Sequence, residues 1–270
     1  MAHGSGSDVG DLVTGHYGST DIGERILGAL AAGGVDVDRL APEELARVDQ
    51  LHAGFVPATQ HVLDRLGVGP GMHLLDVGCG IGGPARLAAA RGAQVNGVDL
   101  TPAFVDTAKE LTARVGLAGR ASFDVTAGDS LPFPDASFDA AMMIHVGMNV
   151  PDKRAVFGEV RRVLPQGGLF AVYDQVRVGD GDLPWPLPWA DDERSSFVET
   201  VEEYDEHLTA AGFTVQEVDD RTETTLAPPP PGAIPPDQLL GPGFGARIGN
   251  NVEATKAGLL GAVLLLARAT

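Results

Sequence analysis

Apolar positions change period along this chain. Between residues 20 and 70 they recur at helical spacing: Ile22, Ile26, Leu27 and Leu30 share one face, then Leu40, Leu45 and Val48, then Val62, Leu63 and Leu66. This spacing predicts three helices. Pro42 suits a first helical position and Gly67 the residue just past a helix end. From residue 73 the pattern becomes short apolar runs alternating with helical stretches. Strands are predicted over 73–77, 94–98, 121–125, 138–145 and 168–173, and helices over 84–91, 102–115, 152–164 and 200–211. Thr200 and Glu203 form a capping-box pair at the start of the last helix. Residues 214–218 and 262–269 read as two final strands.

Strands alternating with helices predict an α/β fold whose sheet is covered on both faces. The chain is expected to be a single domain from residue 16, after a disordered terminus over 1–15 that is dominated by Gly, Ser and Asp. Helical residues 16–70 precede a core over 71–225. Residues 226–261 read as an inserted cap, loop-like over 226–243 with four prolines at Pro228–Pro231, and 262–270 hold the last strand. A second irregular insertion over 179–192 carries Trp185 and Trp189 among prolines.

Charge narrows the partners. The chain has 37 acidic residues against 19 basic ones, a formal net charge of −18. Such a surface repels phosphate backbones and anionic lipid, so nucleic acid and membrane insertion are not expected. One cysteine, Cys79, excludes an internal disulfide and a cysteine-based zinc site. The first ten residues lack the basic and apolar regions of a signal peptide, and a cytoplasmic location is expected. Arginine outnumbers lysine sixteen to three, which together with the Ala and Gly richness reads as bacterial coding bias. No metal site is expected, and His52 and His61 have no ligand pattern around them.

The motif that carries chemistry is Asp76-Val77-Gly78-Cys79-Gly80-Ile81-Gly82-Gly83, joining a predicted strand to a predicted helix. Glycines there allow a tight turn and close approach of a ligand to backbone N–H groups. Asp99 ends the next strand, where a carboxylate can accept from both ribose hydroxyls. The spacing of Gly78, Gly80 and Gly83 fits a nicotinamide dinucleotide as well as S-adenosylmethionine. Asp76 favours the latter, because a carboxylate suits an ammonium group and suits a pyrophosphate badly. Asp129 in Ala127-Gly128-Asp129-Ser130-Leu131-Pro132-Phe133 can accept from an adenine amino group. Phe138-Asp139-Ala140-Ala141 then opens the fourth strand directly after a turn.

These stretches, with Val98-Asp99-Leu100-Thr101 and the run from Glu159 to Gly168, resemble the class I S-adenosylmethionine-dependent methyltransferases. The branch they resemble is that of ubiquinone biosynthesis and sterol methylation. Gln166 departs from the family pattern, which more often has glycine after the proline. The resemblance covers residues 71 to about 173 and implies a Rossmann-like, doubly wound, mixed seven-stranded sheet with helices on both faces, an N-terminal helical lid and an inserted acceptor cap. It implies that Asp76, Gly78, Gly80 and the neighbouring Cys79 and Gly82 hold the amino acid end of S-adenosylmethionine. It further implies that Asp99 and Leu100 take the ribose, and that Asp129, Ser130 and Leu131 surround the adenine. Cys79 is then a small loop residue and not a nucleophile. Tyr17, before the first helix, matches an aromatic that closes over the cofactor in related enzymes.

Ligands of open α/β sheets sit at the carboxyl ends of the strands. His145 and Asn149, just past the fourth strand, are therefore expected beside the reacting methyl group and the acceptor. His145 is either the base that takes a proton from the acceptor or a positioning residue and cofactor contact. Trp185, Trp189 and residues 239–252 are expected to wall the acceptor pocket. Glu199, Glu202, Glu203 and Asp205 read as a solvated helix face. The expected activity is methylation of an O, C or N atom of a small secondary metabolite, of quinone or terpenoid type, releasing S-adenosylhomocysteine. Alternatives are a non-methylating use of the same fold, such as cyclisation, a non-enzymatic binding module, or a nicotinamide oxidoreductase. Monomer and homodimer both remain open.

Overall fold

A computed structural model describes residues 22–270; Tyr17 and the expected terminus over 1–15 lie outside the described residues. Helices α1 (Ile22–Ala32), α2 (Pro42–Leu45) and α3 (Phe55–Arg65) come first. The core follows as β1 (His73–Val77), α4 (Gly83–Ala90), β2 (Gln94–Asp99), α5 (Pro102–Arg114), β3 (Ala121–Val125), β4 (Ala140–Ile144), α6 (Lys153–Val163), β5 (Leu169–Arg177), α7 (Val201–Ala210) and β6 (Phe213–Asp220). Short helices α8 (Thr222–Thr225) and α9 (Pro236–Leu239), then α10 (Phe244–Lys256), lead to β7 (Leu260–Ala269).

The seven strands form one sheet in the order β3-β2-β1-β4-β5-β7-β6. β1 to β5 are parallel, and β7 runs antiparallel between β5 and β6. The sheet is thus mixed and doubly wound, as expected. Residue types follow position. Central β4 reads Ala-Ala-Met-Met-Ile and is buried throughout, while edge strand β6 alternates between covered and exposed positions. One face packs Val62 and Leu63 of α3, Ala85 and Ala88 of α4, and Val105 and Ala108 of α5 against the sheet. The other face packs Val156, Phe157 and Val160 of α6 and Tyr204 and Leu208 of α7.

Helix ends are where the sequence places them. Pro42 opens α2, and the Asp152 side chain caps α6 by accepting from the Ala155 N–H at 3.0 Å. Thr200 and Glu203 form the capping box of α7, and Gly67 takes a positive φ beyond α3. Between β6 and β7, residues 226–243 are loop-like, as expected, apart from the short helix α9, and residues 244–256 form a helix that the sequence pattern did not predict. Leu239 of α9 packs with Ile22, Ile26 and Leu30 of α1, with Leu45, and with Ile81 and Phe104. The N-terminal helices and this late segment therefore meet above the glycine loop.

The chain order turns back at β1 and β4. Between them, at the carboxyl ends of the strands, lies the crevice where such sheets take ligands.

Candidate active site

β1 delivers Asp76 to this crevice and then breaks into a loop in which Gly78, Gly80 and Gly82 all have positive φ. Such angles are open to glycine at little cost. The loop is closed by Asp99. One carboxylate oxygen accepts from the Gly80 N–H at 2.9 Å, the other from the Thr101 N–H at 2.9 Å. A side chain at Gly80 would meet nothing within 4 Å, so this backbone faces open space. Gly83 serves a different purpose: a Cβ there would lie 2.4 Å from the Asp49 carbonyl oxygen, so its bareness admits the N-terminal segment.

Asp76 is 1% exposed, and its Oδ2 is sealed from water with no hydrogen-bond partner. Burial, then the nearby Asp99 charge, push its carboxyl up to about 8, against a smaller opposing pull from Arg86. Burial also raises Asp99, although the N–H groups of Thr101 and Gly80 hold it back. Arg86 is engaged elsewhere: buried in α4, it pairs with Asp49 at 2.8 Å and donates to Thr112 Oγ1 at 3.0 Å. Two acids thus bear on one loop, and one of them has an oxygen with nothing bound to it. An ammonium group meets that demand; a pyrophosphate does not. Cys79 is buried, and burial with both acids pushes its thiol well above the usual range, so it is no nucleophile.

Farther along the crevice Asp129 and Ser130 are exposed and Leu100 is 38% exposed, open to a ligand. Leu131 is a core residue with Leu75, Val77 and Val98, its N–H held by Glu159 at 2.9 Å. At 6% exposure it does not present an open face.

His145 follows β4 at φ +55, a backbone state few side-chain-bearing residues adopt, and its N–H donates to the Tyr173 carbonyl at 2.7 Å. Its ring lies 5.1 Å from the Tyr173 ring and 5.8 Å from that of His52. Its Nε2 is sealed and unpartnered. Burial, then His52, hold His145 well below the ordinary histidine value, and burial brings His52 down to about 4. Both rings are neutral at neutral pH. Asn149 closes a turn of 3-10 helix over Gly147–Asn149. That turn is fixed by Asp174 on the opposite face of the sheet, which accepts from the Gly147 N–H at 2.6 Å and the Tyr204 hydroxyl at 3.0 Å.

His52, which the sequence left without a role, is thus part of the site. It lies with Gln50 and Thr59 in a buried network, its Nε2 2.8 Å from Thr59 Oγ1. His61 meets Asp219 at 2.7 Å and ties α3 to β6. Glu199 does not belong to a solvated face: it lies 3.2 Å from the buried Lys153 ammonium and 3.3 Å from His207. Trp189 also corrects the expectation. Trp189 is 4% exposed, packs with Met148, Leu187, Ala190, Ala254 and Leu260, and donates to Ser196 Oγ at 2.9 Å. Trp189 builds the core under the insertion, and the partly buried Trp185 packs against it. Of residues 239–252, Leu239 packs on α1, and Arg247 and Asn250 donate to the 186–190 backbone.

The C-terminal ends of β1, β4 and β5, three adjacent strands, thus carry Asp76, His145 and Gln175, each with buried polar atoms lacking a partner. Gln175 is 1% exposed, with both amide atoms unsatisfied, and sequence reading passed over it. Among the described residues no group of three or more His, Cys, Asp or Glu is placed to hold a metal ion, and no helix is long and apolar enough to cross a membrane.

Comparison with known proteins agrees with this geometry. The family model described as a methyltransferase domain matches residues 75–172. A methyltransferase of Streptomyces halstedii is 32% identical over 202 residues, 73% of this chain and 72% of that one. A sterol 24-C-methyltransferase of Gibberella zeae is 40% identical over 117 residues, 42% of this chain but 30% of its own length. The chain spans about a third of the length of the sterol methyltransferases it matches. Among solved structures, the 4+2 cyclase SpnF superposes with a TM-score of 0.67 at 26% identity, over 92% of this chain and 93% of that one. The chain belongs to the class I S-adenosylmethionine-dependent methyltransferases.

Proposed function

We propose that this chain transfers the methyl group of S-adenosylmethionine to an oxygen, carbon or nitrogen atom of a small molecule. We read the acceptor as a bacterial secondary metabolite of quinone or terpenoid type, handled in the cytoplasm, with the N-terminal helices as a lid and residues 226–261 as a cap. The observation that carries this reading is the unpartnered Asp76 oxygen beside a glycine loop whose backbone faces open space. The sterol-directed names of several relatives support the terpenoid type.

The residues fit the cofactor. Asp76 would take its ammonium, Asp99 its ribose hydroxyls, and Asp129 and Ser130 its adenine edge. Bound there, S-adenosylmethionine supplies a methyl group on a positively charged sulfur. The chain's own share is alignment and exclusion of water, since an in-line displacement needs little else. His145, neutral and with Nε2 free, is placed to accept a proton from an acceptor hydroxyl or activated carbon.

A second reading, that the fold serves a non-methylating step such as cyclisation, is favoured by the near end-to-end match to SpnF. One experiment separates them. A cell extract is incubated with the protein and deuteromethyl S-adenosylmethionine, then analysed by mass spectrometry. Methyl transfer gives a product carrying the heavy methyl and an equal amount of S-adenosylhomocysteine. An isomerised product with no cofactor consumed supports the second reading.

A further inference from the structure

Gln175 is the one unsatisfied group at the strand ends that the proposed function leaves without a task. It lies near the end of β5, in register with Ala262 of β7. Side chains alternate along a strand, so Gln175 shares the face that carries Tyr173, about 7 Å farther toward the carboxyl end. The Tyr173 ring is the neighbour of the His145 ring, at 5.1 Å. Gln175 and His145 therefore flank the same part of the crevice from adjacent strands. The side chain opposite, Ala262, is small and buried.

A buried carboxamide with neither its oxygen nor its nitrogen bonded is a rare and costly arrangement in a folded protein. It persists where a bound molecule completes it. A carboxamide gives and takes hydrogen bonds at once, and the complementary group that does both in a small space is a hydroxyl.

The surrounding charge tells which kind of molecule brings that hydroxyl. His52 is held down to about 4 and His145 well below its ordinary value, both mainly by burial, and burial pushes the Tyr173 phenol up to about 12. All three are neutral near pH 7. Arg86 faces Asp49 and Arg221 lies within 3.8 Å of Asp219, while Arg177, two residues past Gln175, donates to the Gly181 carbonyl. Beside Gln175 an anionic acceptor would meet neutral rings.

We propose that Gln175 is a specificity residue for the methyl acceptor, and that the acceptor presents to it an uncharged hydroxyl group on an otherwise apolar body. This rests on the methyl-transfer reading above. Gln175 would hold the oxygen by two hydrogen bonds while Tyr173 and Ala262 contact the apolar part.

Three probes with one carbon skeleton test this: geraniol, the matching hydrocarbon without the oxygen, and geranyl phosphate. Each is titrated by ligand-observed NMR into the full chain saturated with S-adenosylhomocysteine, using wild type, Gln175→Leu and Gln175→Met. Geraniol should bind wild type at least about tenfold more tightly than either of the other two probes. Both variants should bind geraniol no better than the hydrocarbon, with S-adenosylhomocysteine affinity unchanged. Their thermal midpoints without ligand should equal or exceed wild type, because an unsatisfied polar group has been removed. A lower midpoint in both variants would mark Gln175 as structural and overturn the proposal. So would tighter binding of the phosphate, absence of geraniol binding, or unchanged geraniol binding in the variants. Failure of wild type to bind S-adenosylhomocysteine would overturn the cofactor reading itself, a result distinct from all of these.

Discussion

Asp99 reaches back nineteen positions to accept the backbone N–H of Gly80 at 2.9 Å. The acid placed to take the ribose also holds the glycine loop shut, so the two tasks share one carboxylate. Asp99→Ala should therefore weaken S-adenosylmethionine binding by about 1.5–3 kcal/mol, the range for charge-assisted hydrogen bonds. It should also lower the thermal midpoint of the ligand-free protein. Calorimetry and thermal unfolding check both. Unchanged affinity would remove Asp99 from the cofactor site, and an unchanged midpoint would show that the loop does not depend on it.

Gly80 offers a complementary test. Its φ is +52 and its missing side chain would project into open space. Gly80→Val places a β-branched residue in a left-handed backbone state, at a cost of roughly 1–3 kcal/mol, and fills the ligand's side of the loop. Cooperative unfolding should survive and S-adenosylmethionine binding should be abolished. Normal binding by this variant would place the cofactor elsewhere.

His145 divides chemistry from binding. As a base, its replacement by alanine should lower turnover about 10²–10⁴-fold, with a much smaller effect on cofactor affinity. The neutral ring is the active form, so activity is lost as pH falls through the His145 pKa. Burial and His52 hold that pKa well below the ordinary 6.5. The acidic limb of the rate profile should accordingly lie well below pH 6.5 and disappear in His145→Ala. Normal turnover with weakened cofactor binding would make His145 a cofactor contact.

Trp189 should behave as a core residue. Trp189→Ala removes a ring packed with Met148, Leu187 and Leu260 and leaves the Ser196 hydroxyl without its donor. A loss of about 3–5 kcal/mol in unfolding free energy is expected, measured by denaturant titration. Full stability with altered acceptor preference would return it to the pocket wall.

What could be read from sequence was what is local. The β1 strand, its glycines and Asp99 lie within 27 residues, and each residue type has a backbone or ligand reason to be there. The capping box of Thr200 with Glu203 is likewise short-range. Contacts that join distant segments left no such trace. Asp49 against Gly83 and Arg86, and His52 against His145, depend on how the first helices fold back over the sheet. Helix α10 was hidden by its composition, since Gly245, Gly249, Asn250 and Asn251 are poor helix formers and tertiary packing sustains it. The two tryptophans showed that the 179–192 insertion buries apolar surface, but not toward which side. Gln175 reads as an ordinary polar residue until its strand is placed beside β4.

The most direct test of the cofactor site is proton release at Asp76. Its carboxyl is raised from 3.8 to about 8 in the folded, ligand-free protein. Folding there takes up a proton, so the Asp76 contribution to stability is full at low pH and is lost as pH rises through about 8. An ammonium group bound to Asp76 reverses this by favouring the carboxylate. Calorimetric titration of S-adenosylmethionine at pH 7, in two buffers of different ionisation enthalpy, should show binding with release of nearly one proton. Asp76→Asn should abolish that release and weaken binding roughly 10- to 100-fold. Binding with no proton released and with equal affinity in Asp76→Asn, or no binding at all, would contradict the assignment of this crevice to S-adenosylmethionine.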